Sequence, residues 1–209
     1  MTLWEQAAQC YAEARALEDA ARCYQLAGHH RQAAEYYRRS GQGRLAAPLY
    51  EQAGDPNEAA WLLADVVGDP AQARACLDRH PMDVPADLSG CSAPWLLHRL
   101  ASARCDLAEG GTRTAIPGVL DTLDEVQRAL ASNLPINDVR VRDWAVEVAT
   151  LLKRFDQVAL IFAAAVVGRR MRAVESWQAW SRTHLGMPIV VPRSPGVTAA
   201  GLTEDHANA

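Results

Sequence analysis

Small and apolar residues recur along the first eighty positions with a fixed period of thirteen. Ala7-Ala8-Gln9-Cys10-Tyr11 returns as Ala20-Ala21-Arg22-Cys23-Tyr24, Ala33-Ala34-Glu35-Tyr36-Tyr37, Ala46-Ala47-Pro48-Leu49-Tyr50 and Ala59-Ala60-Trp61-Leu62-Leu63. A looser unit, Ala73-Arg74-Ala75-Cys76-Leu77, follows after one inserted residue, and Gly28, Gly41, Gly54 and Gly68 punctuate the series. A fixed period means stacked structural units. Within a unit the small or apolar residues fall at i, i+3, i+4 and i+7, as in Ala46, Leu49, Tyr50 and Ala53, which is one face of an α-helix. The spacing predicts one short helix per unit, about ten residues and roughly 15 Å long, ended by a glycine in the left-handed C′ position.

The helix starts are written as well. Asp55-Pro56-Asn57-Glu58 and Asp69-Pro70-Ala71-Gln72 place Asp at N-cap, Pro at N1 and Glu or Gln at N3. Helices this short are marginal alone, so each must lay its stripe on its neighbours, in antiparallel hairpins. The paired alanines let backbones approach, and the tyrosine fills the gap between layers. Pro48 stands where a helix beginning at Arg44 would need its N–H, so the fourth helix is expected to start late or bend.

The period breaks between His80 and Pro94, in the turn-rich segment HPMDVPADLSGCSAP. Four parts follow: a short-helix repeat region over 1–79, a linker over 80–93, a C-terminal helical region over 94–192 and a disordered tail over 193–209. Beyond the linker the helices lengthen. Pro94 to Ala108, Thr114 to Ser132, Asn137 to Arg154, Asp156 to Val167 and Met171 to Leu185 all carry apolar residues at helical spacing. A short extended segment is expected at Met187 to Val191. The fold class is therefore all-α: an α-solenoid of short antiparallel helix hairpins, built from thirteen-residue one-helix units, followed by a longer-helix bundle, with at least nine helices in all.

Composition narrows the chemistry. The 209 residues are 49% hydrophobic and 22% charged, enough for a real core without disulfides or metal. A formal charge of -4 argues against a general polyanion binder. Five cysteines with no CxxC pair signal neither a disulfide framework nor a zinc ribbon. No run approaches eighteen apolar residues, and Met1 to Tyr11 carries Glu5 and Gln6 where a secretory signal needs a basic end and an apolar run, so a cytoplasmic protein without membrane contact is expected. Lys153 is the one lysine among 21 basic residues, a usage that fits a GC-rich bacterial genome.

The phrase AA-x-x-Y-x-x-AG, spanning Ala20 to Gly28, Ala33 to Gly41 (with Ser40 for Ala) and Ala46 to Gly54, resembles the degenerate helical hairpins of TPR-like α-solenoids. It is most similar to those of soluble NSF-attachment proteins and of the solenoid arms of coat and intraflagellar-transport subunits. The resemblance covers the first eighty residues and implies a scaffold for protein contacts. The closing run from Trp144 to Pro192 also resembles helical regions of proteins in bacterial MoxR ATPase and von Willebrand A cassettes, which implies a place in an ATPase-linked assembly.

Catalytic motifs are missing. There is no GK[ST] loop, HExxH or GxSxG, and Gly41-Gln42-Gly43 lacks both the third glycine and the preceding strand of a dinucleotide fingerprint. Cys91, His98 and Cys105 have a metal-like spacing but no fourth ligand, and packing is the simpler role for them, as it is for Cys10 and Cys23 at one shared repeat position. His29-His30 reads as a solvated turn. No catalytic, cofactor or metal site is expected, and the chain is read as a non-enzymatic adaptor whose partner is another protein or a peptide.

The candidate partner-binding residues are Arg31, Arg38, Arg39 and Arg44, the densest local positive charge, together with Trp61. Arginines of this kind can receive an acidic peptide or phosphate through bidentate contacts, or form a solvated face balanced by Glu35. Trp61 takes the outward repeat position of Gln9, Arg22, Glu35 and Pro48, so either the second half of the chain or a partner must cover it. Trp177 and Trp180, three apart, are either core or a docking edge. An alternative is nucleic-acid binding through the Arg31–Arg44 patch with Arg169, Arg170 and Arg172, against which the acidic total and the inward tyrosines count.

Overall fold

Helix after helix begins where the thirteen-residue period places it. In the computed structural model, which describes residues 2–110 and 115–191, α1 spans Leu3–Glu13, α2 Leu17–Leu26, α3 His30–Arg39, α4 Gly43–Gln52, α5 Pro56–Leu62 and α6 Pro70–Arg79. The starts at 17, 30, 43 and 56 are 13 apart. Each turn is closed the same way. Gly28, Gly41 and Gly54 adopt φ of +79°, +81° and +79°, and the next N–H, of His29, Gln42 or Asp55, donates to the carbonyl of Tyr24, Tyr37 or Tyr50 at 2.9, 2.8 and 2.9 Å. This is the six-to-one bond of a glycine-terminated helix. The repeat tyrosine thus closes the turn with its backbone and fills the core with its ring: Tyr24, Tyr37 and Tyr50 are 8%, 7% and 3% exposed.

In the first unit Arg15 holds the glycine position, with φ +59°. A side chain in the left-handed region costs about 1–2 kcal/mol, of which the extra backbone freedom of glycine when unfolded returns only part. Arg15→Gly is therefore expected to raise stability by about 0.5–1 kcal/mol, read as a higher denaturant midpoint with an unchanged slope. An unchanged or lower midpoint would mean that Arg15 makes a contact worth more than the strain.

The inserted residue of the fifth unit has a definite place. Between Pro56 and Pro70 the spacing is fourteen, and α5 widens into a π-helical turn over Leu63–Val67 before Gly68 ends it at φ +71°. A wider turn absorbs one residue without changing what precedes or follows. Asp55 and Asp69 cap α5 and α6 as the sequence indicates, accepting from the N–H of Glu58 and Gln72 at 3.3 and 3.0 Å. At Pro48 the late start does not occur: α4 begins in register at Gly43 and carries Pro48 inside it.

Packing within α1–α6 runs from each helix to its sequence neighbours, and α7 (Ala93–Ala108) lies against α5 and α6. Ala8, Ala21, Ala34, Ala47 and Ala60 are all buried at the crossings, where a larger side chain would force the helices apart. Of the segment expected as a linker, 80–93, residues 80–92 are irregular apart from a 3-10 turn at Leu88–Gly90, and Ala93 already begins α7. This segment is not where the chain divides. By compactness the units are Met1–Thr122 and Leu123–Ala209, because α7 packs on the repeat instead of beginning a second body.

The division falls within α8 (Ala115–Ala131), after which come α9 (Val139–Leu151), α10 (Phe155–Val167) and α11 (Ala173–Leu185). Among the described residues there are eleven α-helices and no strand, and no helix is long and apolar enough to cross a membrane. α9 and α10 end with the same six-to-one bond as the repeat, but with Lys153 and Arg169 in the left-handed position, at φ +56° and +53°. Trp177 and Trp180 belong to the core of this unit: Trp177 meets Phe162 edge to face, and the Trp180 Nε1 donates to Thr150 Oγ1 at 3.2 Å. No strand forms at Met187 to Val191; the Ile189 carbonyl instead accepts from Trp177 Nε1 at 2.6 Å. The tail expected to be disordered, 193–209, lies outside the described residues.

The loop after α8 is held by one side chain. Arg170 donates through Nε to the Leu130 carbonyl at 3.0 Å, through Nη1 to Leu134 and Ile136 at 3.0 and 3.3 Å, and through Nη2 to Ala129 and Ser132 at 3.2 and 2.8 Å. All five N–H groups of the guanidinium are used, on the carbonyls of Ala129 and Leu130 in the last turn of α8 and of Ser132, Leu134 and Ile136 in the loop beyond it.

Candidate interaction groove on the helical repeat

The four arginines expected as one patch are not alike. Arg31 Nη2 stands 3.2 Å from Asp55 Oδ2, and Arg38 Nη2 2.9 Å from Glu35 Oε1. Glu35 also accepts from the Tyr50 hydroxyl at 2.8 Å; burial, and then this bond to a carboxylate, push the Tyr50 hydroxyl well above its ordinary range. Arg39 lies over the Tyr36 ring, 5.1 Å from its centre. These three side chains serve contacts along α3 and to Asp55 at the start of α5.

Arg44 is apart from them and makes no hydrogen bond or ion pair among the described residues. It lines a groove of about 330 Å³ with Pro48 and Glu51 of α4 and Gln72, Ala75 and Arg79 of α6. Ala59 of α5 and Leu63 of the π-turn complete the lining. The groove exists because α4 and α6 both pack on α5, and the small residues Ala47, Ala59 and Ala75 leave the space between them unfilled. At one end Glu51 accepts from Nε and Nη2 of Arg79, both at 2.9 Å, and lies 2.9 Å from His80 Nε2. Those hydrogen bonds, Arg79 first, hold its carboxyl below the ordinary range. Glu51 is thus neutralised in place, and the charge left over in the groove is that of Arg44.

On its other side Arg44 borders a second hollow of about 360 Å³, lined by Gly41, Gln42, Gly43, Leu45, Val66 and Val67. Leu45 and Val66 are exposed there. A side chain at Gly43 would bring its Cβ within 2.9 Å of Val67 Cγ2, so glycine lets α4 begin close against the π-turn. An arginine without a partner between exposed aliphatic side chains has the composition of a protein contact surface, where arginine is enriched and apolar area is central. Glu51, Gln72, Arg79, Leu45 and Val66 were not singled out by sequence reasoning. The period held the signal, since it sets next-but-one helices side by side and so pairs α4 with α6.

Trp61 requires a correction. It is 6% exposed, on the helix against which α7 packs, where Asn57 Nδ2 of the same helix also donates to the Pro94 carbonyl at 3.0 Å. Gln9, Arg22 and Pro48 at the equivalent position are exposed, while Glu35 is half-buried against Tyr50, so the position faces outward in three of the other four units and Trp61 is covered because α7 arrives there. It offers a partner no free surface. Cys10 is exposed although Cys23 is buried, because α1 packs on α2 alone. Cys91 and Cys105 are buried and His98 half-buried; among the described residues no three His, Cys, Asp or Glu side chains are grouped as a metal ion requires. Compared with models of known families, with curated proteins and with solved structures, the chain matches none.

Proposed function

We propose that this chain is a helical-repeat adaptor, an α-solenoid in its first six helices, that binds a segment of another protein in the groove between α4 and α6. The observation that carries the reading is the unpartnered Arg44 in that groove, flanked by exposed Leu45 and Val66 and by Pro48. A stack of short helices that each pack mainly on their sequence neighbours leaves grooves between next-but-one helices, and repeat proteins use such grooves as extended binding surfaces. The specific features of the sequence concern stacking, and Arg31, Arg38, Glu51, Arg74 and Arg79 are engaged in ion pairs between or along the helices. The reading is one of binding without catalysis. The nucleic-acid alternative has less behind it, because Arg31 and Arg38 already face Asp55 and Glu35.

The test is reversal of the free charge. Arg44 is exposed and makes no internal bond, so Arg44→Glu is expected to leave the melting temperature within a degree or two while abolishing capture of the partner that wild-type chain retains from the host's extract. Charge reversal at a contact typically costs tenfold or more in affinity. Equal recovery of the same proteins by wild type and Arg44→Glu would sink the assignment of this groove.

A further inference from the structure

The second unit contains a cleft of about 580 Å³ between the end of α8, the start of α9 and the turn after α10. Its wall carries Arg142, Arg169, Arg170 and one carboxylate, Asp138, with apolar surface from Ile136 and Met171 among others. The charges do not cancel. Asp138 is taken up by Arg140, whose Nη2 stands 2.8 Å from its Oδ2. Arg142 faces Asp143, which lies outside the cleft lining, at 2.7 Å. Arg170 is surrounded by five carbonyls and no carboxylate, and the Arg169 side chain makes no hydrogen bond or ion pair among the described residues. Two positive charges therefore stand in the cleft without a counter-charge.

Donors are available as well as charge. Arg142 is only 6% exposed, and it spends Nε and one N–H of Nη2 on Asp143 and one N–H of Nη1 on the Met171 carbonyl, at 2.9, 2.7 and 2.8 Å. One N–H on each terminal nitrogen is left, and a buried arginine with unused donors is costly unless something accepts from them. Arg169 stands at the left-handed position that ends α10, at φ +53°, and is exposed on the rim of the cleft.

We propose that this cleft binds a small organic oxyanion, its carboxylate or phosphate group received by Arg169 and the free N–H groups of Arg142 in the field of Arg170, its apolar body set against Ile136 and Met171. Paired guanidinium donors match the planar geometry of such oxygens. The volume is that of a small-molecule site.

Phenyl phosphate supplies both halves of the ligand and is the probe. In isothermal titration of the full chain it is expected to bind saturably, one per chain, and at least tenfold more tightly than inorganic phosphate, while benzyl alcohol gives no saturable heat. Arg169→Gln should weaken phenyl phosphate at least tenfold at an unchanged melting temperature. Val139→Trp, at a half-exposed position that also lines the cleft, should block it, and Arg182→Gln, an exposed arginine on α11 outside the cleft, should bind as wild type. No saturable binding of phenyl phosphate, or binding equally tight in Arg169→Gln or Val139→Trp, overturns the proposal. Inorganic phosphate binding as tightly as phenyl phosphate overturns the role given to the apolar wall.

Discussion

Gly168→Ala is expected to destabilise the second unit by about 3–5 kcal/mol, at the upper end of what a single core change does. The reason is space and not backbone freedom. Gly168 has an ordinary φ of -76°, which alanine adopts readily, but a Cβ there would overlap the carbonyl oxygen of Leu130. That oxygen is backbone and cannot rotate away, and it is already held by Arg170 Nε at 3.0 Å. Relief requires moving the turn after α10, and with it the guanidinium that holds Ala129, Leu134, Ile136 and Ser132. Gly118→Ala is the matched control. Gly118 lies inside α8, exposed, with open space where a Cβ would go, so alanine should stabilise by about 0.5–1 kcal/mol through helix propensity. Denaturant midpoints of the two variants should move in opposite directions; a Gly168→Ala midpoint near wild type would show that the two segments do not approach as described.

Trp61→Ala should cost about 3–5 kcal/mol, the usual loss for a buried tryptophan or phenylalanine cut back to alanine. Gln9→Ala, at the same position of the repeat but exposed, should cost under about 0.5 kcal/mol. The contrast isolates the effect of α7, since position within the unit is the same and only the covering helix differs. A partner contact would behave otherwise, keeping the melting temperature and losing affinity. Thermal melts of the two variants beside wild type decide it, and equal melting temperatures for Trp61→Ala and wild type would place α7 elsewhere.

Local order was legible because it is written locally. The Ala pair, the tyrosine and the glycine of each unit lie within about a dozen residues, and they set where α2 to α5 start and how each turn closes. Pro56 and Pro70 mark their own helices for the same reason. What escaped depends on distant parts of the chain. The outward face of Trp61 follows from the period, but its burial follows from α7, about forty residues on. The division at Thr122 rather than at the proline-rich segment has the same cause. Arg170 reads in sequence as one more basic residue of a turn, and only the arrival of five carbonyls from 129–136 makes it the clamp of that loop. The inserted residue before Pro70 was visible, yet its accommodation as a π-turn is a property of the packed helix. Of the arginine patch, the residues and the Arg38–Glu35 pair within α3 are local and legible; the pairing of Arg31 with Asp55 at the start of α5, and the groove that Arg44 lines, come from the stacking of helices.

The groove itself is tested most directly by covalent capture from within it. A photoreactive benzophenone side chain placed at Gln72, exposed in the lining of the groove, should yield an adduct with the partner on irradiation in the host. The same group at Asp83, exposed on the irregular segment after α6, should yield none, and Arg44→Glu should abolish the Gln72 adduct. No adduct at Gln72, equal adducts at Gln72 and Asp83, or an adduct that survives Arg44→Glu would contradict a protein segment bound between α4 and α6.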